Sequence, residues 1–286
     1  MRTLAQFIFL SSMALSSAAQ AVDVMSPNET EPRPFAAKDT VYIEEMTWME
    51  VRDALAAGKT TAIIATAGVE QTGPYSDAGS HGFIMRATTR AVARKVGNAL
   101  VAPIVDYVPQ GNIDPPSGHM RYPSTLSVSE ATFMALLSDI ANSLRVHGFE
   151  NIVLIGDSGG NQNGMKSVAE TLSKDWSGRK NKFGKQTRIF YINEYYDNER
   201  WDAWLAKKGY KEDEAKIHDR LRHTVLNMVV DPEHVRYSQR VANGKASING
   251  ISIENTEKML ALGYELLDYQ ADVTAKAIKE RIAEKK

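Results

Sequence analysis

The chain has 286 residues, no cysteine, and 34 Lys+Arg against 35 Asp+Glu, for a formal net charge of −1. That balance leaves no basic excess to neutralise phosphates, so nucleic acid is not an expected partner. The absence of cysteine excludes disulfide staples, zinc–thiolate sites, iron–sulfur clusters and a thiol nucleophile.

Residues 1–21 open on Met1-Arg2, continue through an apolar run from Leu4 to Leu15, and end on small residues at Ala19 and Ala21. This pattern predicts a cleavable signal peptide and export to the periplasm or beyond. The run falls short of the ~20 apolar residues a membrane span needs. No later stretch is long and apolar enough, so no membrane contact is expected after cleavage. Residues 22–38 contain Pro and Glu without periodicity and read as an extended lead-in.

Residues 39–286 read as one α/β domain. Thr60–Thr66 is a β-branched apolar run that predicts a buried strand. A helix is predicted over Ile84–Leu100 and a second strand over Leu100–Val108, closed by Pro109-Gln110-Gly111. Ser129–His147 has the spacing of an amphipathic helix, with Ser127 or Ser129 as N-cap and Gly148 as C-cap. Asn151–Gly156 predicts a third strand and is followed by a helix to about Trp176. The basic 177–185 stretch reads as a solvated loop. Arg188–Asn193 predicts a fourth strand, and Glu254–Lys279 one or two terminal amphipathic helices. Strands alternating with helices in this way predict a mostly parallel sheet covered on both faces.

Ligands of such sheets bind beyond the carboxyl ends of the strands. Three polar segments fall there: Gly68–Pro74, Asp157-Ser158-Gly159-Gly160-Asn161, and Glu194-Tyr195-Tyr196-Asp197. Each has a plain alternative. Glu70 would serve as a helix cap, and the Gly-Gly pair would allow a tight turn. Asp157 would act as a general base, an extra ligand, or the cap of the helix beginning near Gly160.

Four segments, in order and spacing, resemble the creatininase (creatinine amidohydrolase) family. Its Glu-Gln-His-Gly-Pro-His motif matches Glu70-Gln71-Thr72-Gly73-Pro74-Tyr75. Its Glu-His-x-x-Phe-Pro-Gly-Thr-Leu segment matches Gly118–Leu126. Its Ser-Leu-x-x-His-Gly-Phe run and following Asn-Gly-His-Gly-Gly-Asn match Ser143–Phe149 and Gly156–Asn161. A late His-Ala-Gly-Glu-x-Glu-Thr-Ser motif falls on His218–Val225.

The resemblance implies a three-layer α/β/α domain, an amidohydrolase acting on a small or cyclic amide, a divalent-metal centre, and a homo-oligomer, hexameric in the family. Carried over residue by residue, Glu70 is kept. The first-motif His becomes Thr72, the following Asp becomes His81, the Gly-His-Gly-Gly His becomes Ser158, and the late Glu becomes His223. Glu70, His81 and His223 therefore stand as ligands of one metal, zinc or else manganese, in place of a bridged pair. Asp157 and His218 stand as the acid/base pair. His119, Ser158, Gly159, Gly160 and Tyr195 stand as substrate contacts, the glycine amides as oxyanion donors. A lactone is an alternative substrate. A ligand-binding or assembly protein without metal is the alternative class.

Overall fold

A computed structural model of the chain describes residues 28–213 and 218–284. The expected signal peptide lies outside the described residues. The described residues divide into two units at Ala36–Ala37. In the first, Asn28 Oδ1 accepts from the Thr30 N–H at 3.0 Å, closing a side-chain-bonded turn.

The second unit holds the α/β domain. In chain order it runs α1 (Trp48–Ala56), β1 (Thr61–Thr66), α2 (Ser80–Val96), β2 (Ala99–Val101), α3 (Glu130–His147), β3 (Asn151–Gly156), α4 (Gln162–Asp175) and β4 (Arg188–Tyr191). It continues through α5 (Asn198–Lys207), α6 (Leu221–Val230) and α7 (Tyr237–Ala242) to the long α8 (Thr256–Ala283). The four strands pair in parallel in the order β2-β1-β3-β4, with Thr61 opposite both Ala99 and Asn151.

Every residue of β1 and β3 is buried, as continuous apolar runs in a doubly covered sheet require. Alternate side chains feed two cores. Ile63 and Ala65 pack with Met85 and Val92 of α2 and with Ala275 and Ile278 of α8. Ala62 and Ile64 face the other way, against Phe133 and Leu137 of α3 and Met165 and Val168 of α4. Each fully buried side chain of this size contributes roughly 1.5–3 kcal/mol. The result is a three-layer α/β/α fold.

Three differences from the sequence expectation bear on the site. The helix expected from Ile84 begins one turn earlier, at Ser80, which places His81 in its first turn. The expected strand to Val108 stops at Val101, because Pro103 has no N–H for the ladder; pairing returns only as a single bridge between Thr66 and Val105. The α6 helix, unforeseen in the sequence, is buried from Leu221 through Met228 between α2 and α8. The capping choice at α3 resolves to Ser129, whose Oγ accepts from the Thr132 N–H, while Ser127 Oγ accepts from the Gln110 N–H. Gly148 at φ +114 ends that helix.

Strand order makes β1 the neighbour of both β2 and β3, so the chain changes direction across β1. A crevice opens between the carboxyl ends of β1 and β3. Behind it, Arg240 donates to Asp219 Oδ2 at 3.2 Å and to the carbonyls of Lys245 and Ser247, with both side chains of the ion pair buried. Asp219 also accepts from Thr224 Oγ1, which ties the residue after His218 to α6.

Removing one member of a buried pair leaves an uncompensated charge. Arg240→Met is expected to lower the unfolding free energy by about 3–5 kcal/mol in urea titrations. The Asp219→Leu, Arg240→Met double variant should be less destabilised than Arg240→Met alone.

Candidate functional site

Glu70 follows β1 through a turn at Gly68, where φ is +149 and a Cβ would lie 2.2 Å from Gln110 Nε2. Only glycine fits there. Asp157 directly follows β3, its N–H bonded to the Thr66 carbonyl at 3.1 Å. His81, in the first turn of α2, reaches between these two carboxylates. Its Nδ1 lies 2.9 Å from Asp157 Oδ2 and its Nε2 lies 2.9 Å from Glu70 Oε1. From α6, Arg222 Nη2 donates to Asp157 Oδ1 at 2.9 Å.

The line Glu70–His81–Asp157–Arg222 is buried throughout, with no member more than 9% exposed. Buried charges persist only when paired, and these alternate in sign along the line. Each ring nitrogen of His81 faces a carboxylate oxygen, so without metal both carry protons. Burial alone would lower the His81 pKa, but hydrogen bonds with Asp157 and Glu70 carry it up to about 9. Burial raises Glu70, and hydrogen bonds from His218 and His81 more than offset it, leaving about 2. Burial also works against Asp157, yet the charge of Arg222 and the His81 bond hold it far below the ordinary carboxylate range.

Three more imidazoles surround this line. His218 Nε2 lies 3.1 Å from the same Glu70 Oε1, its side chain 45% exposed. His119 Nε2 lies 3.8 Å from Glu70 Oε2, an oxygen that is buried and has no hydrogen-bond partner. His223, beside Arg222, stacks obliquely on His81 with centroids 4.6 Å apart, and its buried Nε2 is also partnerless. Burial and then the repulsion of His81 lower the His223 pKa to about 3, so its ring is neutral.

Among the described residues two donor groups converge within 4.8 Å: Glu70, His81 and His218, and His81, Asp157 and His223. They share His81, and charge distinguishes them. In the inner group both oxygens of Asp157 are engaged, one of them by a guanidinium that would repel a cation. The outer group holds the unsatisfied Glu70 Oε2 and no competing positive side chain within its contacts. A divalent ion fits the outer group by donor chemistry, with Asp157 behind His81 as the carboxylate that orients it. The hydroxyl of Thr72 is tied to the Glu70 carbonyl and to Ser80, and that of Ser158 to Gln110 Oε1, all at 3.4 Å.

Several residues named from the sequence take other roles. The structure exchanges His223 and His218: His218 stands beside Glu70, and His223 lies deeper against Asp157. Asp157 has no oxygen free to act as a general base, since one is bonded to His81 and the other to Arg222. It caps no helix either; the 3-10 turn Gly159–Asn161 has no side-chain cap. Tyr195 is fully buried, its hydroxyl 2.7 Å from Thr88 Oγ1, so it is a core residue and not a substrate contact. His119 borders Glu70 and His218, the latter at a ring distance of 4.6 Å. Gly159 and Gly160 are exposed at the mouth of the crevice. Gly160 is needed for close packing, because a Cβ there would meet the Pro109 carbonyl at 2.2 Å.

Sequence reasoning missed Arg222, Gln71 and Gln110. For Arg222 the signal was present: a guanidinium inside the largely apolar run Leu221–Val230 belongs to a buried helix that must pair it. His234, which showed no role in the sequence, bonds Asp77 at 2.9 Å and stacks on Phe83, fastening the loop before α2.

Fold and site together define a three-layer α/β/α protein with a carboxylate–imidazole centre at the switch point of its sheet. A family model described as Creatinine amidohydrolase matches residues 44–269. The chain belongs to the creatininase family. A curated creatinine amidohydrolase of Pseudomonas putida is 29% identical over 116 residues, covering 41% of this chain and 44% of that relative. The alignment thus spans less than half the length of the relative. Among solved structures, a tryptophan-to-alanine mutant creatininase superposes with a TM-score of 0.61 at 19% identity, covering 86% of this chain and 100% of that one. A glutamate-to-glutamine mutant creatininase of Zn-Zn type and a creatininase described as Mn each give 0.59 at 20% identity, with the same coverage. At that identity the superpositions establish the fold.

The shifted groups predict a pH dependence of stability for the metal-free protein. His81 titrates above its unfolded value of 6.5, so its contribution is complete below pH 6.5 and is lost as pH rises through about 9. His223 titrates below 6.5, so its contribution is present above pH 6.5 and is lost as pH falls towards about 3. Thermal unfolding in the presence of a chelator should show a maximum in Tm near pH 6.5. His81→Gln should flatten the alkaline limb and also weaken the acid limb, because His81 helps to hold the Glu70 and His223 pKa values down.

Proposed function

We propose that this chain is an exported, metal-dependent amidohydrolase that cleaves a carbon–nitrogen bond in a small amide, cyclic amides included. The observation that carries this reading is the outer donor group, in which Glu70, His81 and His218 converge and Glu70 keeps a buried, unsatisfied oxygen. Glu70, His81 and His218 would hold a divalent ion, zinc or manganese, which would supply Lewis-acid chemistry for hydrolysis of the acyl group. The names of the relatives support the reaction class, and two of the similar creatininases are described with zinc or manganese.

The residues of the chain divide the remaining work. Asp157 accepts the His81 Nδ1–H and so turns Nε2 toward Glu70 and His218, where its lone pair would become available to a bound ion on loss of the Nε2 proton. Arg222 neutralises Asp157 from behind, which keeps that carboxylate ionised and out of the ligand set. Ion uptake at His81 displaces the Nε2 proton, so affinity should weaken as pH falls. The neutral ring of His223 fills the inner side of the site and brings no charge to it.

The rebuilt donor set and the expected export favour a substrate other than creatinine, an amide or a lactone met outside the cytoplasm. Homo-oligomerisation belongs to the same reading and is checked by native mass. One observation favours a second reading: with both nitrogens of His81 bonded to carboxylates, the network is closed by a proton alone. On that reading the protein binds a small molecule and turns nothing over.

Metal analysis separates the two. After reconstitution with zinc or manganese, one equivalent is expected; less than about half an equivalent overturns the metal reading. Asp157→Asn should weaken metal binding about 10–100-fold, as loss of an orienting carboxylate does elsewhere. Glu70→Ala should abolish both binding and turnover across a panel of creatinine, small lactams and lactones while leaving the circular dichroism spectrum intact.

A further inference from the structure

His119 and Gln71 form a unit that neither the metal group nor the buried charge line uses. Gln71 Oε1 accepts from the Gly73 backbone N–H at 3.2 Å. A backbone amide only donates, so the orientation of the Gln71 side chain is settled, with its oxygen toward Gly73 and its nitrogen outward. Gln71 Nε2 then lies 3.2 Å from His119 Nδ1. Since the glutamine nitrogen donates, Nδ1 must accept, and the ring carries its proton on Nε2. The tautomer of His119 is therefore dictated by a backbone N–H two hydrogen bonds away.

Both partners are held in place by the main chain. The Gln71 N–H is bonded to Thr125 Oγ1 at 3.2 Å, the His119 N–H to the Gln110 carbonyl at 3.1 Å, and the Leu126 N–H to the Val69 carbonyl at 2.9 Å. These bonds clamp the loop carrying His119 onto the loop carrying Glu70. The His119 side chain remains 27% exposed, and its Nε2 stands 3.8 Å from Glu70 Oε2, beyond hydrogen-bond range. A fixed N–H thus faces the space beside Glu70 with no protein acceptor among the described contacts. The lone pair that would bind a metal is turned away, toward Gln71.

We propose that His119 Nε2–H is a preset hydrogen-bond donor to the acyl oxygen of the substrate, and that Gln71 is the positioning residue that sets it. The substrate half of this inference rests on the amidohydrolase reading; the tautomer half does not. Negative charge grows on the acyl oxygen as water adds to the carbonyl, and a donor held ready in a low-dielectric site stabilises that charge without reorganising. His119 is thereby separated from His218: the first is a donor to substrate, the second a ligand group beside Glu70.

The test uses the full mature chain loaded with zinc, together with Gln71→Leu, His119→Gln and His119→Leu. Long-range proton–nitrogen NMR of the histidine rings reads the protonation of each nitrogen directly. The wild type is expected to show His119 protonated at Nε2 alone, and Gln71→Leu to shift the ring toward a mixture that includes the Nδ1–H form. Bound zinc should be unchanged in all three variants. On any panel amide that is turned over, His119→Leu should lower kcat about 100–1000-fold with little change in KM. His119→Gln, which places an N–H at similar reach, should recover part of that loss.

A lone pair on Nε2, or an unchanged tautomer in Gln71→Leu, overturns the positioning claim. Loss of zinc in His119→Leu overturns the donor claim by making the ring a ligand. If the wild type binds no zinc and turns nothing over, the amidohydrolase reading fails, and the NMR result still decides the tautomer.

Discussion

One imidazole held between two buried carboxylates ties this structure together. His81 bonds Glu70 through one nitrogen and Asp157 through the other, each at 2.9 Å. The carboxylates stand at the ends of neighbouring strands and the imidazole on the helix that follows the first strand. None of the three would be stable in the interior alone, because desolvating an unpaired charge costs several kcal/mol. Together with Arg222 they form a line of alternating sign, and each needs the others in register. Arg222 reaches Asp157 from α6, which is buried between α2 and α8.

The same line governs what the crevice offers a ligand. Arg222 takes up the inner oxygen of Asp157, so Asp157 acts on His81 and on nothing beyond it. Glu70 is left with one oxygen free of any hydrogen bond, facing the side where His119 and His218 converge. An asymmetry results: the inner side of His81 is closed and charge-balanced, and the outer side holds an unsatisfied anion ringed by imidazoles. At the positions where the family resemblance leads one to expect further histidines, Thr72 and Ser158 present hydroxyls already bonded to the protein. On the inner side the chain supplies a positive charge with its own guanidinium.

Much of the fold was legible in the sequence, because strands buried on both faces advertise themselves as unbroken apolar runs. Asn151–Gly156 is such a run and forms β3 with the same limits. Ser129 and Gly148 bound α3 for local reasons of capping and left-handed φ. The strand expected to reach Val108 ends at Val101, because Pro103 breaks a ladder that the neighbouring apolar residue types favour. Helices α1, α5, α6 and α7 were not seen, being short or, for α6, apolar on nearly all faces and so without amphipathic period.

For the site, the residue types and the strand ends were readable, and Glu70, His81, Asp157, His119, His218 and His223 could all be named in advance. Their division of labour could not. Whether His218 or His223 stands beside Glu70 depends on how α6 docks and on the path of the residues that lead into it, since His218 precedes the helix and His223 lies in its first turn. Tyr195 looked like a pocket aromatic and is core, because the helices around it close over its hydroxyl at Thr88. The sequence by itself determined the parallel sheet, the edge at which polar loops gather, and the supply of carboxylates and imidazoles without thiols. Only the tertiary structure decided which nitrogen meets which oxygen, because hydrogen-bond direction and charge pairing are set by contacts between residues far apart in the chain.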